Sequence, residues 1–118
     1  MSYDLMIGVK VAGYRNKTVV IAEPRRNSPT YNIRDMLWKC MDWKFDQGRW
    51  YNCEEVYPKI VHGLEELRNN EAEYVKYNAP NGWGTTESAK EDLESLIECI
   101  NEASEENDLP LKRLYMRW

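Results

Sequence analysis

Three thiols and one imidazole have the widest chemistry open to them in this chain: Cys40, Cys53, Cys99 and His62. Together they have the donor types of a tetrahedral zinc site, three sulfurs and one nitrogen. Their spacing argues against one. Cys40 and Cys53 stand thirteen positions apart and Cys53 and His62 nine, whereas structural zinc sites draw ligands from short pairs. Cys40 and Cys53 also fall on apolar stripes of predicted helices, while His62 falls on an outer face, roughly 180° from Cys53 at helical pitch. That phase equally opposes a Cys53–His62 nucleophile pair. Free thiols on apolar faces behave as small hydrophobes. Serine chemistry has no support either, because no Gly-x-Ser-x-Gly elbow occurs. The expectation is three core or near-core thiols, with no metal, no cofactor and no catalytic residue assigned. An odd set of cysteines also points to a reducing compartment, hence the cytoplasm.

Carboxylates are abundant, and one set is ordered. Glu87, Glu91, Glu94, Glu98, Glu102 and Glu105 lie within about 80° of arc at helical pitch. They oppose a stripe of Ala89, Leu93, Leu96, Ile97, Ile100 and Ala103. Only Lys90 offers basic relief inside that helix. Nothing in the pattern buries one acid beside another, so a general acid–base pair is not indicated. Two readings stand. The glutamates form an ordinary solvated face, or a negative ridge that docks on a basic protein groove.

Aromatic residues supply the third set. Trp83 sits between two glycines in Asn81-Gly82-Trp83-Gly84, just before the longest helical pattern. Such an indole needs a neighbour to cover it or a partner to bind it. As a plug, it folds back over a turn that Asn81-Gly82 favours; as a pocket wall, it joins Tyr74 and Tyr77. Trp38 projects roughly 140° from the stripe Ile33, Met36, Leu37, Cys40, and so is a candidate contact residue. Arg25, Arg26, Lys39, Lys44 and Arg49 interleave with Trp38, Trp43, Trp50 and Tyr51, the stacking-plus-charge recipe for single-stranded nucleic acid. Asp35, Asp42 and Asp46 dilute it. No Walker lysine or Gly-x-Gly-x-x-Gly follows a strand.

The elements that must position these residues fit one domain, 1–118. Charge is uneven: residues 1–50 carry nine basic and five acidic side chains, and the remainder seven and fifteen. The net charge of −4 makes non-specific attraction to phosphate backbones unfavourable. No segment is long and apolar enough to span a bilayer, and the start lacks the pattern of a secretory signal. Tyr3, Leu5, Ile7, Val9 and Val11 alternate with Asp4, Met6, Gly8, Lys10 and Ala12, which predicts a half-buried strand. A turn at Gly13–Lys17 and a returning strand at Thr18–Ala22 complete a hairpin. Helices follow from Ile33 to about Trp43, capped by Asn32, then from Glu54 to Asn69, then from Thr85 or Thr86 to about Glu106. Residues 46–52 read as a loop anchored by aromatics. Leu111–Trp118 reads as a last strand, with Leu114, Met116 and Trp118 on one face. The order is β-β-α-α-α-β: an α+β fold, its antiparallel sheet made of the N-terminal hairpin and the C-terminal strand, packed on about three helices.

Four stretches carry a resemblance: Ser2-Tyr3-Asp4-Leu5, Ser28-Pro29-Thr30-Tyr31-Asn32, Asn78-x-x-Asn81-Gly82-Trp83-Gly84 and Leu114-Tyr115-Met116-Arg117-Trp118. In these the chain resembles small proteins of bacteriophages and prophages of Gram-positive bacteria, over nearly its whole length. The resemblance brings no site residues with it. It implies a compact accessory protein that binds a host or viral protein, and it favours modulation of a host nucleic-acid enzyme. On that expectation Glu87, Glu91, Glu94, Glu98, Glu102, Glu105 and Trp38 meet the partner. A small-molecule or peptide module centred on Trp83, Tyr74 and Tyr77, and a single-stranded nucleic-acid binder, stand as alternatives. The sequence leaves self-association open.

Overall fold

A computed structural model describes residues 1–13 and 17–118; most of the predicted hairpin turn, Tyr14-Arg15-Asn16, lies outside the described residues. The hairpin strands form as expected, β1 at Met6–Val11 and β2 at Lys17–Ala22, paired antiparallel. Upstream, Tyr3 and Leu5 continue the alternation but bond elsewhere. Their N–H groups donate to the carbonyls of Pro29 and Asn27, each at 2.8 Å. The C-terminal strand is shorter than predicted, Tyr115–Arg117, and pairs with the other side of β1, Ile7 against Met116.

Between the hairpin and the long helices the sequence reading needs correction. The aromatic segment expected as loop contains a strand, β3, at Trp50–Asn52. Three residues are too few to display a period of two, so β3 becomes visible only through its pairing with the C-terminal strand, β4. The result is a four-stranded antiparallel sheet in the order β2-β1-β4-β3.

Among the described residues the expected three helices become four: α1 at Arg34–Met41, α2 at Cys53–Asn69, α3 at Glu71–Tyr74 and α4 at Thr86–Glu106. The chain therefore runs β-β-α-β-α-α-α-β. The caps also differ in part. Thr30, not Asn32, supplies the capping side chain, its Oγ1 accepting from Asn32 N–H at 3.2 Å in a 3₁₀ turn that leads into α1, and Asp42, in left-handed backbone at φ 51°, ends that helix. Asn52 caps α2 by accepting from Glu54 N–H at 2.9 Å. Thr85 and Ser88 form a reciprocal capping box on α4, satisfying two otherwise orphan donors.

The α4 stripe packs inward as its spacing requires: Ala89, Leu93, Leu96, Ile100 and Ala103 are buried, with Ile97 partly so. Helices α1 and α2 approach at Gly63, where a Cβ would collide with Met41 Cγ; this close contact explains a glycine inside α2. Trp118 stacks on Phe45 with centroids 4.0 Å apart, and Tyr3 and Trp43 meet its edge. These rings join the start, the middle and the end of the chain in one core. No helix among the described residues is long and apolar enough to cross a membrane.

Candidate functional site

The glutamate face of α4 is exposed, but most of it is matched within the fold. Arg25 donates through Nη2 to both carboxylate oxygens of Glu98 at 2.9 Å. Arg26 reaches Glu91 at 3.2 Å through Nη1 and Asp92 at 2.9 Å through Nε, and its backbone N–H donates to Ser95 Oγ at 3.0 Å. From the other flank, Arg68 meets Glu94 at 2.7 Å. Lys90 lies between Glu87 at 3.2 Å and Glu71 at 3.4 Å. Among the described residues, Glu102 and Glu105 have no ion-pair partner. The expected uninterrupted ridge is thus a matched N-terminal part and a free C-terminal part. Arg25 and Arg26 belong to α4 and not to a basic patch.

Asp92 is the residue of this cluster that the sequence reading missed. Its side chain is buried, and burial pushes its carboxyl above the ordinary range while Arg26 pulls against that rise. A signal was present: Asp92 falls at the margin of the apolar stripe, where a carboxylate needs a cation brought from elsewhere.

The second candidate is the corner around Trp83. Two of the motifs singled out in the sequence meet there, although about fifty residues separate them: Asn32 Nδ2 donates to the Trp83 carbonyl at 3.0 Å. Gly84, at φ 126°, has backbone geometry that side-chain-bearing residues avoid. A Cβ there would stand 2.6 Å from Ile33 Cγ2 and 3.0 Å from Thr30 Cγ2. The loop is fastened along its length. Ala79 N–H donates to Gly84 O at 2.9 Å, Gly82 N–H to Ala79 O at 3.0 Å, and Trp83 N–H to Asn81 Oδ1 at 2.9 Å. At its end Asn78 Oδ1 accepts from Thr86 N–H at 2.9 Å, and Thr86 Oγ1 donates to Glu71 at 2.7 Å.

Trp83 itself is 74% exposed. The plug expectation fails: the backbone bonds and the Gly84 contact hold this turn without the ring. The pocket grouping also separates. Tyr74 is buried and tilted against Tyr77 at 6.5 Å, and the two line a groove that Trp83 does not enter. Tyr77 also faces a wider groove, of about 680 Å³, with Trp38 and Trp43. Trp38 is half-buried there, its edge on Phe45 and the Arg34 guanidinium 4.7 Å from its ring.

The remaining aromatic candidates do not form one stacking patch. Trp43 and Tyr51 pack edge to face at 4.8 Å against the core. Trp50, by contrast, turns to the opposite side of the sheet. The thiols are buried as expected and unpaired. Burial raises Cys40 and Cys53 to about 12 and Cys99 to about 11, from an ordinary 9.0. His62 is exposed and separate from them, and no group of three or more His, Cys, Asp or Glu among the described residues could hold a metal ion. Comparison with protein-family models, with curated proteins and with solved structures finds no match for this chain.

Proposed function

We propose that this chain is a non-enzymatic accessory protein of the phage type its motifs resemble, acting by protein–protein contact on a host enzyme that handles nucleic acid. The observation that carries the reading is Trp83. Large exposed rings are costly to leave in water and dominate interfaces when a partner covers them. Here the ring stands on a loop fixed by backbone bonds and by Asn32, so ordering it on binding costs little. Glu102 and Glu105 add free negative charge able to speed encounter with a basic surface. The matched glutamates serve the fold first.

The test is capture from a Gram-positive host lysate with the wild-type chain and with Trp83→Ala. The expected outcome is a protein retained by the wild type and held at least about 30-fold more weakly by the variant. Thermal unfolding of the variant should move by no more than about 0.5 kcal/mol, as for an exposed position. Glu102→Lys with Glu105→Lys should slow association with the same partner. Equal retention by Trp83→Ala rejects the reading.

A further inference from the structure

The face of the sheet turned away from the helices has a character that neither α4 nor the Trp83 corner shares. Ile7 and Met116 point inward and are fully buried; by pairing register, their neighbours Gly8, Lys10, Tyr115, Arg117 and Trp50 point outward together. Three contacts confirm this grouping. Lys10 Nζ lies 4.6 Å from the Tyr115 ring centroid, Arg117 Cζ lies 5.8 Å from that of Trp50, and a Cβ at Gly8 would stand 3.0 Å from Trp50 Cη2. Trp50 starts on β3 and reaches β1 across β4, so its indole lies along the sheet, with Gly8 leaving the space beneath it. Trp50, Tyr115 and Arg117 are half-buried and Lys10 is exposed.

We propose that this open face binds single-stranded nucleic acid, with Trp50 and Tyr115 as stacking platforms and Lys10 and Arg117 as phosphate contacts. The four strands contain three basic residues and no acidic one. Among the described residues neither Lys10 nor Arg117 has a carboxylate within ion-pair distance. Arg117 Nε is buried without a hydrogen-bond partner. A half-buried guanidinium left unmatched beside a half-buried ring is poised for an anion that arrives with a flat group attached. Trp50 is opposite Arg117, and Tyr115 lies two residues along the same strand. That diagonal places the two residues about 7–8 Å apart, room for two bases side by side. Stacking requires open base faces, which a duplex hides and a single strand offers. The acidity of the chain does not oppose this, because α4 lies beneath the opposite face of the sheet.

The probe is a labelled oligothymidylate of about twelve nucleotides, a length within the range such surfaces cover, followed by fluorescence anisotropy. Binding should saturate, and its affinity should fall with salt at a log–log slope of about −1.4, two phosphate contacts at about 0.7 each. Lys10→Glu, at an exposed position, should weaken binding at least about tenfold with an unchanged melting curve. Tyr115→Ser should weaken it about 5- to 30-fold. Lys59→Glu makes the same change in net charge on exposed α2 and should leave affinity within about twofold, separating the local contact from bulk charge. Three results overturn the proposal: no binding at about 100 µM protein, where non-specific attachment already appears; equal affinity for Lys10→Glu; or equal displacement by a duplex of the same length or by polyglutamate. The last outcome, with polyglutamate, would assign the face to an acidic protein.

Discussion

Helix α4 holds eight acidic side chains and one basic, while the four strands hold three basic and none acidic. The two regions also settle their charges differently. On α4, arginines from the β2–α1 connection and from α2 cross over to meet the acids, so Arg25, Arg26 and Arg68 are used within the molecule. On the sheet, Lys10 and Arg117 rest on aromatic rings and meet no counter-ion among the described residues. A net charge of −4 therefore describes neither surface. What matters is which charges the fold has already matched.

Removing one member of the best-matched cluster should break that contrast most sharply. Arg26→Ala leaves the buried Asp92 carboxylate without its guanidinium and should cost about 3 kcal/mol, read from the urea midpoint. Adding Asp92→Asn should return part of the loss; no recovery would mean that Arg26 acts through packing alone. Next in size is Gly8→Ala on the sheet. The added methyl would stand 2.8 Å from Thr18 Cγ2 and from the Val19 carbonyl oxygen, an overpacking expected to cost about 2 kcal/mol. Tryptophan fluorescence should shift with it as Trp50 is lifted. The smallest effect belongs to Glu94→Gln, which breaks a half-exposed pair with Arg68 and should cost less than about 1 kcal/mol, diminishing further in salt. If Glu94→Gln proved as costly as Arg26→Ala, the distinction between exposed and buried matching on α4 would collapse.

The parts legible in the sequence are those with a repeating signal. Helix α4 repeats its apolar spacing over twenty-one residues, and β1 alternates long enough to declare its two faces. The short strand β3 carries no such repeat, and its partner lies more than sixty positions away. The exposure of Trp83 depends on whether any distant group covers it, which local pattern does not encode; the distant groups that reach its loop, Asn32, Ile33 and Thr30, meet the Trp83 carbonyl and Gly84 instead of the ring. Arg25 and Arg26 looked free for the same reason, since their acids stand about seventy residues on. Tyr115 and Arg117 were readable as opposite in phase to Leu114 and Met116, yet only strand register sets them beside Trp50 and Lys10.

Sequestering all three sulfurs has a consequence for handling and for measurement. Folded Cys40, Cys53 and Cys99 keep their protons up to about 12, 12 and 11, whereas unfolded thiols release theirs near 9.0. In that interval the native state is the better proton binder, so its advantage is intact below about pH 9 and drains away as alkalinity rises. The urea midpoint should be flat in the thiol contribution below that point and decline above it. At neutral pH an alkylating reagent finds no thiolate at the surface. Its rate of uptake becomes a stopwatch for how often the molecule opens.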